Sequence, residues 1–174
     1  MDNSSTLHPW AELAKQAMTR YLMTGEVLAP SETDITRDER RAGVFVSLKK
    51  KGSLRGCIGT LLPTQPTLAE EIVRNAISAA TSDPRFLPIT IDELESLDIS
   101  IDVLSPPFPV DDRQELDPKR YGVIVINGRR RGVLLPDIAG VNTVEEQVEI
   151  ARQKAGIAPY EKIKIMRFEV QRYM

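Results

Sequence analysis

The chain has 174 residues, 41% of them hydrophobic and 28% charged, with a net charge of −2. That composition fits one globular domain, with room for two lobes sharing a core, and gives no global pull toward nucleic acid. No apolar run approaches the roughly 20 residues of a membrane helix, and a single cysteine excludes an internal disulfide framework. The opening Met1-Asp2-Asn3-Ser4-Ser5-Thr6 lacks a basic and apolar leader, so no secretory signal is expected and a cytoplasmic location is the default.

Trp10, Leu13, Ala14, Ala17, Met18, Tyr21 and Leu22 recur at helical spacing, which predicts a helix over 9–24. Pro9 opens it and Gly25 stops it. His8, the only histidine, lies before this helix, where capping is favoured over catalysis. Residues 26–42 read as a polar surface loop with a short helical turn and a mixed-charge run from Thr36 to Arg41. Val44–Leu48 and Leu54–Thr60 are strand-like, and the basic turn Lys49–Gly52 joins them as a hairpin. Thr67 and Glu70 form a capping box for a helix over 68–82. Its apolar stripe is Leu68, Ile72, Val73, Ala76, Ile77 and Ala80, while Glu71 and Asn75 are expected to face elsewhere.

Asp83-Pro84-Arg85-Phe86-Leu87-Pro88 cannot continue that helix. Thr90–Glu93 fits a short capped turn. Leu97, Ile99, Ile101 and Val103 alternate with polar residues as a half-buried strand. Its polar face would carry Asp98 and Asp102 about 13 Å apart and solvated. Ser105–Pro109 breaks the strand, and 111–120 is a charged loop with one helical turn near Pro118. Tyr121–Ile126, the hairpin signal Asn127-Gly128 and Gly132–Pro136 make a second, well-buried hairpin. A third helix is expected over 143–155, opened by the Thr143/Glu146 capping box and ended by Gly156. A final strand covers 162–171, and no internal repeat is expected. Three helices and about six strands, mostly in hairpins, make an α+β fold: a mixed, mostly antiparallel sheet packed with helices.

Strict alternation along residues 54–60 would place Leu54, Gly56 and Ile58 on one face and Arg55, Cys57 and Gly59 on the other. Arg55 would then lie about 7 Å from Cys57 at Cα, where a guanidinium can favour the thiolate. Glycines on both sides of the cysteine leave room for a ligand or a second backbone. Position alone favours a buried, structural Cys57 over a reactive one. For the 83–88 loop the favoured reading is likewise structural: Asp83 caps, Arg85 pairs with a carboxylate and Phe86 plugs the core. The basic tips Lys49–Lys51 and Arg129–Arg131 read as solvated turns guarding sheet edges. If they converge with Arg55 they could hold phosphates. A His/Cys-rich zinc site cannot be assembled from one residue of each type, although carboxylate-containing sites remain open. No G-x-G-x-x-G, Walker loop or H-E-x-x-H is present.

Leu54-Arg55-Gly56-Cys57-Ile58-Gly59-Thr60 resembles the signature of the AMMECR domain family, named after a human protein encoded in a region deleted in a syndrome of Alport nephropathy, intellectual disability, midface hypoplasia and elliptocytosis. Asp83–Phe86, Val103–Pro107, Gly132–Pro136 and Lys154–Gly156 match further family motifs in the same order. The resemblance runs from about residue 8 onward, as one AMMECR-type domain. It implies a mixed sheet under helices with a smaller lobe beside it, and it raises the chance that Asp83 and Arg85 lie near the cysteine strand. The family has no settled activity. Two readings follow. In the first, the chain is an enzyme or enzyme component: Cys57 is nucleophile or carrier, Arg55 activates it and Asp83 serves as acid/base. Gly56, Gly59, Thr60 and Arg85 would line the ligand site. Relatives are encoded beside, or fused to, a dioxygenase-like domain and a radical S-adenosylmethionine enzyme, which implies modification of a nucleobase or other small group. The cofactor is unknown. In the second, the chain is a non-catalytic module for a protein, nucleic acid or small ligand, with Cys57 a packing residue. One departure stands out: relatives commonly follow Leu-Leu-Pro with Gln-Val-Ala and an aromatic segment, whereas here Asp137–Asn142 follow. The opening of the third helix is therefore expected to be remodelled.

Overall fold

In a computed structural model, residues 7–33 and 40–174 are described; most of the Thr36–Arg41 run and the Met1–Thr6 segment lie outside them. In chain order the elements are α1 (Pro9–Thr24), β1 (Val44–Lys50), β2 (Ser53–Gly59), α2 (Leu68–Thr81), α3 (Ile91–Leu94), β3 (Leu97–Leu104), β4 (Phe108–Val110), β5 (Gly122–Asn127), β6 (Arg130–Leu134), α4 (Val144–Lys154), β7 (Lys164–Phe168) and β8 (Val170–Tyr173). Short 3₁₀ turns occupy Pro30–Glu32 and Arg113–Glu115. The second of these is capped by Asp112, which accepts from the Gln114 amide, and the turn expected near Pro118 is present as well, with the Arg120 and Tyr121 amides both donating to the Asp117 carbonyl. The strands make two four-stranded sheets, ordered β2-β1-β3-β8 and β4-β7-β5-β6. The chain divides into two compact units, residues 1–103 with 171–174, and residues 104–170.

In the first unit, local signals set the helix ends. His8 Nδ1 accepts from the Trp10 amide at 3.2 Å, so its role is to cap α1. Gly25 ends α1 at φ 74°, with its N–H donating to the Tyr21 carbonyl. The Thr67/Glu70 capping box opens α2. Lys51 and Gly52 form the two-residue loop between β1 and β2, both at positive φ (51° and 79°), as a type I′ hairpin requires. The core of this unit joins Leu13, Ala17 and Met18 of α1 to Ile72 and Ala76 of α2 and to Val46, Leu48 and Ile101 of the sheet.

In the second unit, Val123 and Val125 of β5 pack with Val148 and Ala151 of α4. The β5–β6 loop is Gly128-Arg129, since Asn127 pairs with Arg130. The turn is thus one residue later than Asn127-Gly128 implies, with Gly128 at φ 57°. Asp137 adopts φ 55°, and its N–H donates to the Pro118 carbonyl at 2.8 Å. The capping box of α4 is nevertheless intact.

Two further sequence expectations change. The final strand is two strands in different sheets. They part at Glu169, whose N–H donates to Ser105 Oγ and whose carbonyl accepts from the Ser105 amide, both at 2.9 Å. The chain also carries a hairpin–helix repeat. Gly52, Arg55, Gly56, Thr67 and Glu70 recur 76 residues later as Gly128, Arg131, Gly132, Thr143 and Glu146. The physical reason for the paired glycines is common to both units: a helix backbone lies directly on the strand. A Cβ on Gly56 would meet the Ala79 carbonyl oxygen of α2 at 2.3 Å, and one on Gly132 would meet that of Ala151 of α4 at 1.7 Å.

Candidate functional site

Strand β2 is an edge of its sheet, so every second residue turns its N–H and C=O away from β1. Cys57 is such a residue. It stands opposite Ser47 of β1, which in turn stands opposite Ser100 of β3. The Cys57 N–H donates to Asp83 Oδ2 at 2.9 Å, and its carbonyl accepts from Arg85 Nη2 at 3.3 Å. The Asp83–Arg85 pair therefore occupies the place that a further strand would take, which closes an edge otherwise open to pairing. Side chains approach closely at a cross-strand pair of this kind, and Ser47 Oγ lies 3.2 Å from Cys57 Sγ. The thiol is half-buried.

Pro84 ends any helical continuation and leaves Asp83 just past α2. Asp83 is buried, its side chain 3% exposed. Its Oδ1 accepts from the Arg85 amide (3.1 Å) and Arg85 Nε (3.0 Å), and its Oδ2 from Arg85 Nη2 (2.8 Å) as well as from Cys57. The Arg85 guanidinium holds the carboxyl far below the usual carboxylate range. Burial opposes this, and the Cys57 and Arg85 amides reinforce it. Arg85 itself is half-exposed, with Cζ 5.4 Å from the Phe86 ring centroid. Its Nη1 makes no hydrogen bond to the described residues.

Arg55 departs from strict alternation. Leu48 pairs with Gly56 and Lys49 with Leu54, so Arg55 is the extra residue of a β-bulge. Its guanidinium grips Glu93 with Nε (3.2 Å) and Nη2 (3.0 Å), while Nη1 donates to the Leu87 carbonyl at 2.8 Å. Lys50 Nζ adds a third contact to Glu93 at 3.0 Å. Arg55, then Lys50 and the Thr90 amide, pull the Glu93 carboxyl down to about 2. Arg55 thus braces the 83–88 loop and α3 against β2, and the arginine in contact with Cys57 is Arg85.

The other sequence candidates separate. Gly56 faces α2, and Gly59 lies under the Phe45 ring, whose Cγ a Cβ would meet at 2.3 Å. Thr60 turns inward, its hydroxyl donating to Glu71 Oε1 at 2.5 Å and accepting from Asn75 Nδ2 at 3.2 Å. The structure brings together Cys57, Asp83 and Arg85, with Ser47 added. Of the basic tips, Lys50 is held by Glu93, and Arg130 by Glu161, Asn127 and the Gly156 carbonyl.

Three polar residues expected at the surface are buried. Glu71 is 1% exposed and Asn75 5%. Glu71 accepts from the Thr60 and Thr64 hydroxyls and from the Thr64 and Gln65 amides, pinning the segment that leaves β2. Burial raises the pKa of Glu71, but these four hydrogen bonds outweigh it and the net shift is downward. Asp102 is 1% exposed and forms a two-pronged pair with Arg172 of β8 (2.7 and 2.8 Å). The closely spaced hydroxyl donors Thr60 and Thr64 were the available sign of a buried acceptor; no local sign pointed to Arg172. Among the described residues there is no group of three or more His, Cys, Asp or Glu side chains able to hold a metal, and no helix long and apolar enough to cross a membrane.

Known proteins share the sequence pattern and the fold. A protein of Thermotoga maritima is 55% identical over 170 residues, covering 95% of this chain and 97% of its own. A Clostridium acetobutylicum protein is 52% identical over 167 residues, but the match covers 36% of that longer relative and 95% of this chain. The crystal structure of an uncharacterized protein from Pyrococcus horikoshii has the same fold, with a TM-score of 0.86 at 31% identity, covering 94% of this chain and 88% of the other. Residues 11–173 match the AMMECR1 family, and the chain belongs to it.

Proposed function

We propose that the junction of β2 with the 83–88 loop is the working site of an enzyme component that positions a small group for chemistry at Cys57. The observation that carries this reading is the convergence of Asp83 and Arg85 on the backbone of Cys57, which leaves the thiol half-exposed beside Ser47 and the Arg85 Nη1 edge open to a ligand. Cys57 is the reacting group in this reading. Arg85 is the contact for an anionic or carbonyl oxygen: Asp83 and the Cys57 carbonyl take its Nε and Nη2 and hold the guanidinium in one orientation, which leaves Nη1 as the charged donor to a ligand. Asp83 is a positioning residue: an ionised carboxylate with its oxygens occupied has no proton to give and little basicity to offer. Arg55 is a brace. The dioxygenase-like and radical S-adenosylmethionine partners implied by family resemblance would supply redox chemistry, with a nucleobase or similar small group as substrate.

A second reading is favoured by one observation. Asp83 and Glu93, the carboxylates bound to this stretch, are both committed to arginines, so the polar contacts of Cys57 can be purely structural and the chain a binding module. Alkylation of the folded protein by iodoacetamide across pH separates the two. Fast labelling at neutral pH, with Cys57→Ser and Cys57→Ala both losing cellular function at unchanged melting temperature, supports the enzyme component. A thiol inert until denaturation, or full function in both variants, removes Cys57 from the chemistry.

A further inference from the structure

The second unit holds a cavity of about 210 Å³ lined by Ser105, Phe108, Tyr121, Arg167, Phe168 and Glu169. We infer that it is a binding site for a small aromatic carboxylate, separate from the cysteine site. One wall is a buried ring. Phe168 is 2% exposed and the end of its ring lies against Gly122, where a Cβ would approach its Cζ to 2.2 Å. Phe108, directly across the β4–β7 pair from Arg167, is by contrast 64% exposed, a large aromatic surface at the mouth.

The two arginines beside the cavity are unequally paired. Arg120 donates to Glu169 Oε1 from Nε (3.2 Å) and Nη2 (3.1 Å), so those two charges answer each other. Arg167 is fixed by the Tyr121 ring, its Cζ 4.6 Å from the centroid, and by Nη1 donating to the Glu115 carbonyl. Its nearest carboxylate contact is a loose one, Glu115 Oε2 at 3.9 Å. Nε and Nη2 make no hydrogen bond to the described residues. A guanidinium held over a ring with two adjacent donors unused matches a carboxylate. The exposed Phe108 face beside it matches an aromatic ring. The volume sets the size: it falls below the roughly 300–1,000 Å³ of sites for drug-sized ligands, which leaves room for one ring and its carboxylate.

The test is a titration of the ¹⁵N-labelled full chain with benzoate, with benzyl alcohol and acetate as the ring-only and charge-only probes. Saturable shifts in the amides of Ser105, Gly122, Phe168 and Glu169 are expected with benzoate, at affinity at least about tenfold above either control. Arg167→Gln and, independently, Phe108→Ser should each weaken benzoate by about tenfold; the exposed Phe108 position keeps the test valid if Arg167→Gln fails to fold. No shifts at these amides, equal responses to all three probes, or undiminished binding by Phe108→Ser overturns the assignment. Because the reading at Cys57 uses none of these residues, Cys57→Ala should bind benzoate as the wild type does.

Discussion

Gly56→Ala adds one methyl group at the closest approach of α2 to β2. In an open strand this change would stabilise the protein by about 0.4–1 kcal/mol, because alanine restricts the unfolded chain more than glycine does. Gly56 is not among the glycines at positive φ, so no backbone strain opposes it. What opposes it is the Ala79 carbonyl oxygen, 2.3 Å from the new Cβ, with the carbonyl carbon at 3.3 Å and Leu48 Cδ1 at 3.5 Å. Reaching ordinary contact requires a retreat of about 1 Å. The group that must move is helix backbone, and α2 is anchored by Leu68, Ile72 and Ala76, all fully buried. Overpacking of this kind costs about 1–3 kcal/mol, which leaves a net loss of roughly 1–2 kcal/mol after the unfolded-state gain. Urea denaturation should show a lower midpoint with an unchanged slope. The sign is decisive: a Gly56→Ala protein as stable as the wild type, or more so, would mean that the α2 backbone does not rest on this strand. Gly132→Ala should destabilise the protein in the same direction.

Asp83→Asn should flatten the acid limb of stability. The carboxyl is depressed in the folded state, so its contribution is fully present above the unfolded carboxylate pKa near 4 and is lost as pH falls toward the folded value. Urea midpoints measured from pH 6 down to pH 2 should therefore fall less steeply in the variant; parallel curves would show that the Arg85 contact adds nothing. Ile124→Ala, at a position 5% exposed, should cost about 2–5 kcal/mol, and a change within about 0.5 kcal/mol would mark the position as surface.

The sequence by itself determined the pieces whose causes are local. Capping boxes at Thr67 and Thr143, Pro9 at the start of α1 and Gly25 at its end act within a turn or two. The alternating 97–103 run and the two basic hairpins are likewise properties of neighbouring residues. The family signature located Cys57, Asp83 and Arg85 along the chain. Tertiary structure alone decided how these pieces meet. Alternation along β2 implied that Arg55 shares a face with Cys57, but a bulge against β1 makes Arg55 the unpaired residue and gives it to Glu93. Glu71 and Asn75 look like the wet side of an amphipathic helix, yet the groups leaving β2 and the Val44 carbonyl that opens β1 need acceptors and donors there. The ion pair of Asp102 joins residues 70 positions apart, and the division of strands between two sheets turns on Ser105 meeting Glu169. Periodicity and capping report forces that decay within a few residues. Edge or centre, register and charge partner are fixed by contacts between distant segments, which exist only once the chain has folded.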